Sequence, residues 1–281
     1  MKIYNDIAYL NDSKLQRLDI YTPNKSNHPS TVLIYIHGGT WSYGDKLSSQ
    51  KHGEFYQKNG FIFVSINYRL YSPKIQNSKH PTQAEDCAAA ISWVFNNIEQ
   101  YGGDKNNIYI SGHSSGAHLA SLISTDEKYL KKHHIKPSDI KGVVAIDTSA
   151  FNLNSYDYVD YSANKQMLEM KDLVHEVFSG DKNDLLEASP IKYADQETCE
   201  RFLIIVSSQR PLAVKVSSNF VKRINKYGKS ASLFIANELD HEQINSAMYA
   251  NKNMVSSKIL QFLNSQLENK ELITEHGFSS Y

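Results

Sequence analysis

An alternation of segment types constrains this chain most. Six short apolar runs rich in β-branched residues lie at 31–36 (TVLIYI), 60–66 (GFIFVSI), 106–111 (NNIYIS), 141–146 (KGVVAI), 201–206 (RFLIIV) and 231–236 (ASLFIA). Runs apolar on both faces suit strands covered on both sides, the setting of a parallel sheet. Segments of helical periodicity separate them. Residues 81–100 carry Ala84, Cys87, Ala88, Ile91, Val94, Phe95 and Ile98 at 3.6-type spacing. Residues 115–125 are small and apolar, 215–227 place Val216, Phe220, Val221 and Ile224 on one face, and 245–267 supply the last helix. Strand and helix in turn predict an α/β fold: a doubly wound, mostly parallel sheet with helices on both faces. Residues 15–21 alternate and predict an outer antiparallel strand. The 281 residues are read as one domain, 1–281, with no repeat or Pro/Gly-rich linker to divide them.

One stretch breaks the pattern. Residues 151–200 form a long polar connection with a helical patch at 167–178 and three close tyrosines, Tyr156, Tyr158 and Tyr161. Insertions of that length are caps, lids or binding loops, or tolerated surface insertions without a role. Both readings stay open. The chain holds 18 Tyr against 11 Phe, and an aromatic wall for an aryl group is one use for the cluster.

Composition narrows the function. Lys+Arg and Asp+Glu both number 30, so no net field draws nucleic acid or an anionic membrane. No apolar run approaches the ~20 residues of a membrane span, and residues 1–14 have no secretory core. The expectation is a cytoplasmic protein without nucleic-acid or membrane partners; a homodimer is compatible with the sequence. Two cysteines, Cys87 and Cys199, support neither a disulfide framework nor a zinc site. Neither HExxH nor CxxC spacing occurs, so neither a metal nor another cofactor is expected.

The most specific motif is Gly112-His-Ser-Ser-Gly116, directly after the 106–111 run and opening the 115–125 helix. It fits the G-x-S-x-G nucleophile elbow, in which Ser114 sits on a sharp strand-to-helix turn. His37-Gly-Gly-Thr-Trp41 follows the first buried run. In elbow enzymes such a loop and the residue after the nucleophile supply oxyanion donors. Gly38, Gly39, Thr40 and Ser115 are the candidates here. Each such donor is worth roughly 3–4 kcal/mol in the transition state. Trp41 and His113 flank these loops and are read as lining or packing the site.

With these motifs the chain resembles the α/β-hydrolase esterases, most closely those near kynurenine formamidase and the small carboxylesterases and feruloyl esterases. The resemblance rests on LDIYTP (18–23), HGGTW (37–41), INYRL (66–70), DCAAAISWV (86–94) and GGDKNNIYISGHSSGAHLA (102–120). It implies a cofactor-free serine esterase or amidase acting on a small ester or amide. An N-formylkynurenine-type arylformamidase is the alternative. A non-catalytic binding protein on the same scaffold is the reading from another class.

Chain order places the base after the last strand, where Leu239-Asp-His-Glu242 offers His241. The acid departs from the pattern of the relatives. Where most carry an Asp after the penultimate strand, this chain reads Val206-Ser-Ser-Gln-Arg-Pro-Leu-Ala213, with Arg210 near the expected position. Asp147, directly after the 143–146 strand, is the favoured substitute. Asp240, Glu238, or a Ser–His dyad oriented by a remote group remain the alternatives.

Overall fold

The computed structural model describes residues 1–24, 28–159 and 165–275. Its strands are β1 (Lys2–Ala8), β2 (Arg17–Thr22), β3 (Ser30–Ile36), β4 (Ile62–Ile66), β5 (Gly103–His113), β6 (Gly142–Ile146), β7 (Arg201–Ser207) and β8 (Ser230–Ala236). Among the described residues they form one sheet in the order β1-β2-β4-β3-β5-β6-β7-β8. The β1–β2 and β2–β4 pairs are antiparallel and the remainder parallel, so the doubly wound, mostly parallel sheet expected from the sequence is present.

The helices are α1 (Gln50–Lys58), α2 (Thr82–Asn97), α3 (Ser115–Thr125), α4 (Glu127–Lys131), α5 (Lys165–Phe178), α6 (Lys182–Glu187), α7 (Pro211–Lys226), α8 (His241–Ala247) and α9 (Met254–Glu275). They cover both sheet faces, and the strands alternate accordingly. Val32, Ile34 and Ile36 of β3, with Ile108 and Ile110 of β5, face one core, which includes Ile91 of α2 and Leu119 of α3. Leu33, Tyr35 and Tyr109 face the other, with Tyr56 of α1 and Ile259 of α9. Period-2 side-chain direction turns a run apolar throughout into a strand that feeds two cores.

Tyrosines fill much of this interior. Tyr35, Tyr56, Tyr68, Tyr109 and Tyr129 are among the largest fully buried side chains. Their hydroxyls find partners: Tyr35 donates to Asn245 Oδ1 at 2.9 Å, Tyr56 to the Met248 carbonyl at 3.2 Å and Tyr68 to the His37 carbonyl at 3.0 Å. The tyrosine excess is therefore largely a property of the core.

The 151–200 insertion contains a short 3-10 helix (Leu153–Tyr158), then α5 and α6, then a second 3-10 turn (Pro190–Tyr193). It is anchored inward by Phe151, Leu153, Val174, Val177 and Leu185. No described helix is long and apolar enough to cross a membrane.

Candidate active site

Register brings distant residues together at the carboxyl ends of the strands, where α/β sheets bind ligands. Ile36 of β3 pairs with Gly112 of β5, which sets the 37–41 loop beside Ser114. His113 pairs with Ile146 of β6, so the chain leaves both strands side by side at Ser114 and Asp147. The Ser114 N–H donates to the Ile146 carbonyl at 2.8 Å and the Asp147 N–H to the Ile205 carbonyl at 2.7 Å. The β7–β8 pairing then aligns Ser207 with Ala236, five residues before His241.

Ser114 adopts φ 57°, ψ −121°, a left-handed conformation unusual for a side-chain-bearing residue, and caps the N-terminus of α3. The turn closes only because its flanks lack Cβ atoms. A Cβ on Gly116 would lie 2.0 Å from the Ile36 carbonyl oxygen, and one on Gly112 would lie 2.4 Å from the Gly116 backbone. Ser114 remains half-buried, and Gly38, Gly39 and Thr40 are open to the same degree. The 37–41 loop is tightly bent: the Gly39 carbonyl accepts from the Ser42 and Tyr43 N–H groups at 2.9 and 3.0 Å. Thr40 (φ 47°) and Trp41 (φ 62°) are also left-handed. Such strained positions cluster at functional sites. The first turn of α3, with the Ser115 N–H at its head, favours negative charge beside Ser114.

His241 opens α8. Its Nδ1 lies 2.6 Å from Asp147 Oδ2. The Asp147 side chain has no exposure, while that of His241 is 31% exposed. Asp147 Oδ1 accepts the Ser207 N–H at 2.9 Å. Burial alone would raise the Asp147 carboxyl. The His241 hydrogen bond, the Arg210 charge and the Ser207 N–H outweigh it and hold the carboxyl at about 2. Asp147 is thus an anion against Nδ1, and that contact assigns the Nδ1 proton to His241.

The other carboxylates considered are employed differently. Asp240 is the N-cap of α8, accepting the Glu242 and Gln243 N–H groups in a capping box. Glu238 is exposed.

Arg210, the residue standing where a carboxylate was expected, closes the group. Its Nη1 donates to the Asp147 carbonyl at 2.6 Å and pairs with Asp147 Oδ2 at 3.0 Å. Its Nη2 donates to Ser149 Oγ at 3.1 Å. In sequence this arginine stands only as a missing acid; its place beside Asp147 comes from the fold.

Several expected lining residues sit elsewhere. Trp41 is 2% exposed. Its indole N–H donates to His118 Nδ1 at 3.1 Å and its ring meets Phe178 edge-on, so it packs the core and is no open pocket wall. His113 is buried too. It donates through Nε2 to the His241 carbonyl at 2.9 Å, and burial, with the adjacent His241, pushes its imidazole down to about 3. It therefore braces the His241 turn as a neutral ring. Among the described residues the expected tyrosine wall is not seen. Tyr156 is buried and hydrogen-bonded to Ser149, Tyr158 is 76% exposed, and Tyr161 lies outside the described residues.

His113, Asp147 and His241 bring their ligand atoms within 4.8 Å of one another, the one such grouping among the described residues. Asp147 Oδ2 is engaged by His241 Nδ1 and His113 Nε2 by the His241 carbonyl, and the Arg210 cation touches both Asp147 and His241. That arrangement opposes a second cation. A surface concavity lined by residues 71–73 and 75–82, Tyr71, Ile75 and His80 among them, includes none of Ser114, Asp147 or His241.

A parallel sheet of this order, carrying a serine elbow and a histidine–aspartate pair at its strand ends, is an α/β-hydrolase fold. Within that class the chain belongs to the BD-FAE family, whose model matches residues 18–224. It is 28% identical to Esterase LipQ of Mycobacterium tuberculosis over 269 residues, which are 92% of this chain and 61% of LipQ. It is 32% identical to the isoprenylcysteine alpha-carbonyl methylesterase ICME of Arabidopsis thaliana over 168 residues, 58% of this chain and 38% of that protein. The chain thus spans from about a quarter to about three fifths of the curated relatives it matches. The solved structure of Esterase B from Lactobacillus rhamnosis superposes with a TM-score of 0.78 at 18% identity, covering 98% of this chain and 88% of that one. An esterase of Pyrobaculum calidifontis gives 0.75 at 21% identity, covering 94% and 86%. At such identities these two define the fold.

Proposed function

We propose that the protein is a serine hydrolase that cleaves a carboxylic ester through an acyl-enzyme. The single observation that carries this is the buried Asp147 anion 2.6 Å from His241 Nδ1, set by strand register beside the Ser114 elbow. Ser114 Oγ attacks the carbonyl carbon, and His241 Nε2 takes its proton. Asp147 holds the ring and stabilises the imidazolium. The N–H groups of Ser115 and of the Gly38–Gly39–Thr40 loop receive the oxyanion. His241 then protonates the leaving alkoxide, and later activates water to release the acid.

Membership of the BD-FAE family and the ester-hydrolase names of the relatives support the ester class. An N-formyl arylamide is the second substrate class, favoured by the HGGTW and GHSSGAH motifs. We read the insertion at 151–200 as a cap, with Tyr156 joined to the site through its hydrogen bond to Ser149.

The test is pre-steady-state hydrolysis of p-nitrophenyl acetate. Wild type gives a burst equal to the enzyme concentration, and Ser114→Ala gives none. Wild-type-like turnover in Ser114→Ala overturns the mechanism. A kcat/KM for N-formylkynurenine above that for short acyl esters moves the substrate to the amide class.

A further inference from the structure

Arg210 has a more specific part than ion pairing. Its Nη1 lies 2.9 Å from His241 Nδ1, as well as 2.6 Å from the Asp147 carbonyl and 3.0 Å from Oδ2. Nδ1 already donates its proton to Asp147, and a guanidinium has no lone pair to accept one. The 2.9 Å approach is therefore a juxtaposition of two donors around one carboxylate. While His241 is neutral, Asp147 satisfies both. Once His241 gains its second proton, an imidazolium faces a guanidinium across that carboxylate.

We propose that Arg210 is a positioning residue for His241. Its fork fixes Asp147 on Nδ1, and its charge opposes the imidazolium that forms when His241 takes the proton. In terms of the reaction this rests on the serine-hydrolase reading above.

The geometry around Arg210 is built rather than incidental. Three acceptors hold the guanidinium: the Asp147 carbonyl, Asp147 Oδ2 and Ser149 Oγ. Ser149 is buried and in turn bonds the buried Tyr156, so the fork is backed by the insertion. Arg210 itself is the N-cap residue of α7, whose first residue is Pro211. Among the described residues, the charged and titratable groups around His241 are His113 from β5, Asp147 after β6, Arg210 after β7, and Asp240 and Glu242 on its own turn. Of these, Arg210 is the only permanent cation. The side chains of Arg210 and His241 are 28% and 31% exposed, so the repulsion is partly screened by water.

The experiment measures two quantities in wild type, Arg210→Gln and Arg210→Lys. One is the acid limb of the kcat/KM–pH profile on p-nitrophenyl acetate. The other is the titration midpoint of the His241 ring by NMR, assigned with His241→Gln. In Arg210→Gln both are expected to rise by about 1 pH unit or more, the scale of one unit charge at this separation in a water-like dielectric. Arg210→Lys keeps the charge and loses the fork. Its midpoint stays within about 0.3 units of wild type, while kcat falls about tenfold. Unchanged midpoints in Arg210→Gln overturn the proposal, as do matching midpoints in the Gln and Lys variants. The ring titration needs no turnover. Absence of turnover in wild type therefore refutes the hydrolase reading, while the NMR midpoints still judge Arg210.

Discussion

Replacing Asp147 by Asn removes one charge and almost no volume, and its cost follows from the structure. The folded protein holds this carboxyl at about 2, against an ordinary 3.8. That gap corresponds to about 2 kcal/mol of stabilisation. The sign is that of a depressed carboxylate: the contribution is complete well above pH 3.8 and disappears as pH falls towards 2. By pH 3, about 1 kcal/mol of it is gone. Urea denaturation of wild type and Asp147→Asn should therefore show a gap of about 2 kcal/mol at pH 7, narrowing by about 1 kcal/mol at pH 3. The same substitution offers Nδ1 an amide in place of an anion and lowers kcat on p-nitrophenyl acetate by about 10⁴-fold. A gap independent of pH would refute the anionic Asp147. A kcat within tenfold of wild type would mean that another group orients His241.

Two further outcomes follow from packing. Gly116→Ala places a Cβ 2.0 Å from the Ile36 carbonyl oxygen and 2.6 Å from that of His37. It should cost about 3 kcal/mol in chemical denaturation and displace the 37–41 loop; a variant as stable as wild type contradicts the tight elbow. Trp41→Phe removes the indole N–H that serves His118 Nδ1. It should cost about 1–2 kcal/mol of stability and leave acyl-chain selectivity unchanged; a shift in selectivity would return Trp41 to the substrate pocket.

The main strands were legible because parallel strands buried on both faces read as continuous apolar runs, and β3, β4, β6 and β7 are fully or almost fully buried. The half-exposed β8 was legible too, but two polar elements at the margins, β1 and α1, were not. β1 is an exposed edge strand broken by a register shift between Tyr4 and Ile7. α1 is polar and carries Gly53 mid-helix, a glycine that packing explains: a Cβ there would lie 2.6 Å from the Tyr21 ring. The expected last helix is divided into α8 and α9, and α8 begins at His241 because Asp240 caps it.

At the site, the serine elbow was visible because strand, turn and helix are contiguous in sequence. The Asp147–His241 contact spans 94 residues and depends on the register of β5, β6, β7 and β8, which no local spacing encodes. Arg210 stood out in the sequence as a departure from the expected carboxylate. What it does could be read only from three acceptors converging on it. The tyrosine excess is ambiguous in sequence, because a tyrosine is as apt for a core with a nearby acceptor as for a pocket wall.

The nucleophile can be tested without knowing the substrate. Intact protein is treated with a fluorophosphonate, and the adduct is located by peptide mass spectrometry. One phosphonyl group per chain is expected, on Ser114, absent in Ser114→Ala and formed at least about 10²-fold more slowly in His241→Gln. Wild type that stays unlabelled, or Ser114→Ala labelled as fast as wild type, would contradict that expectation.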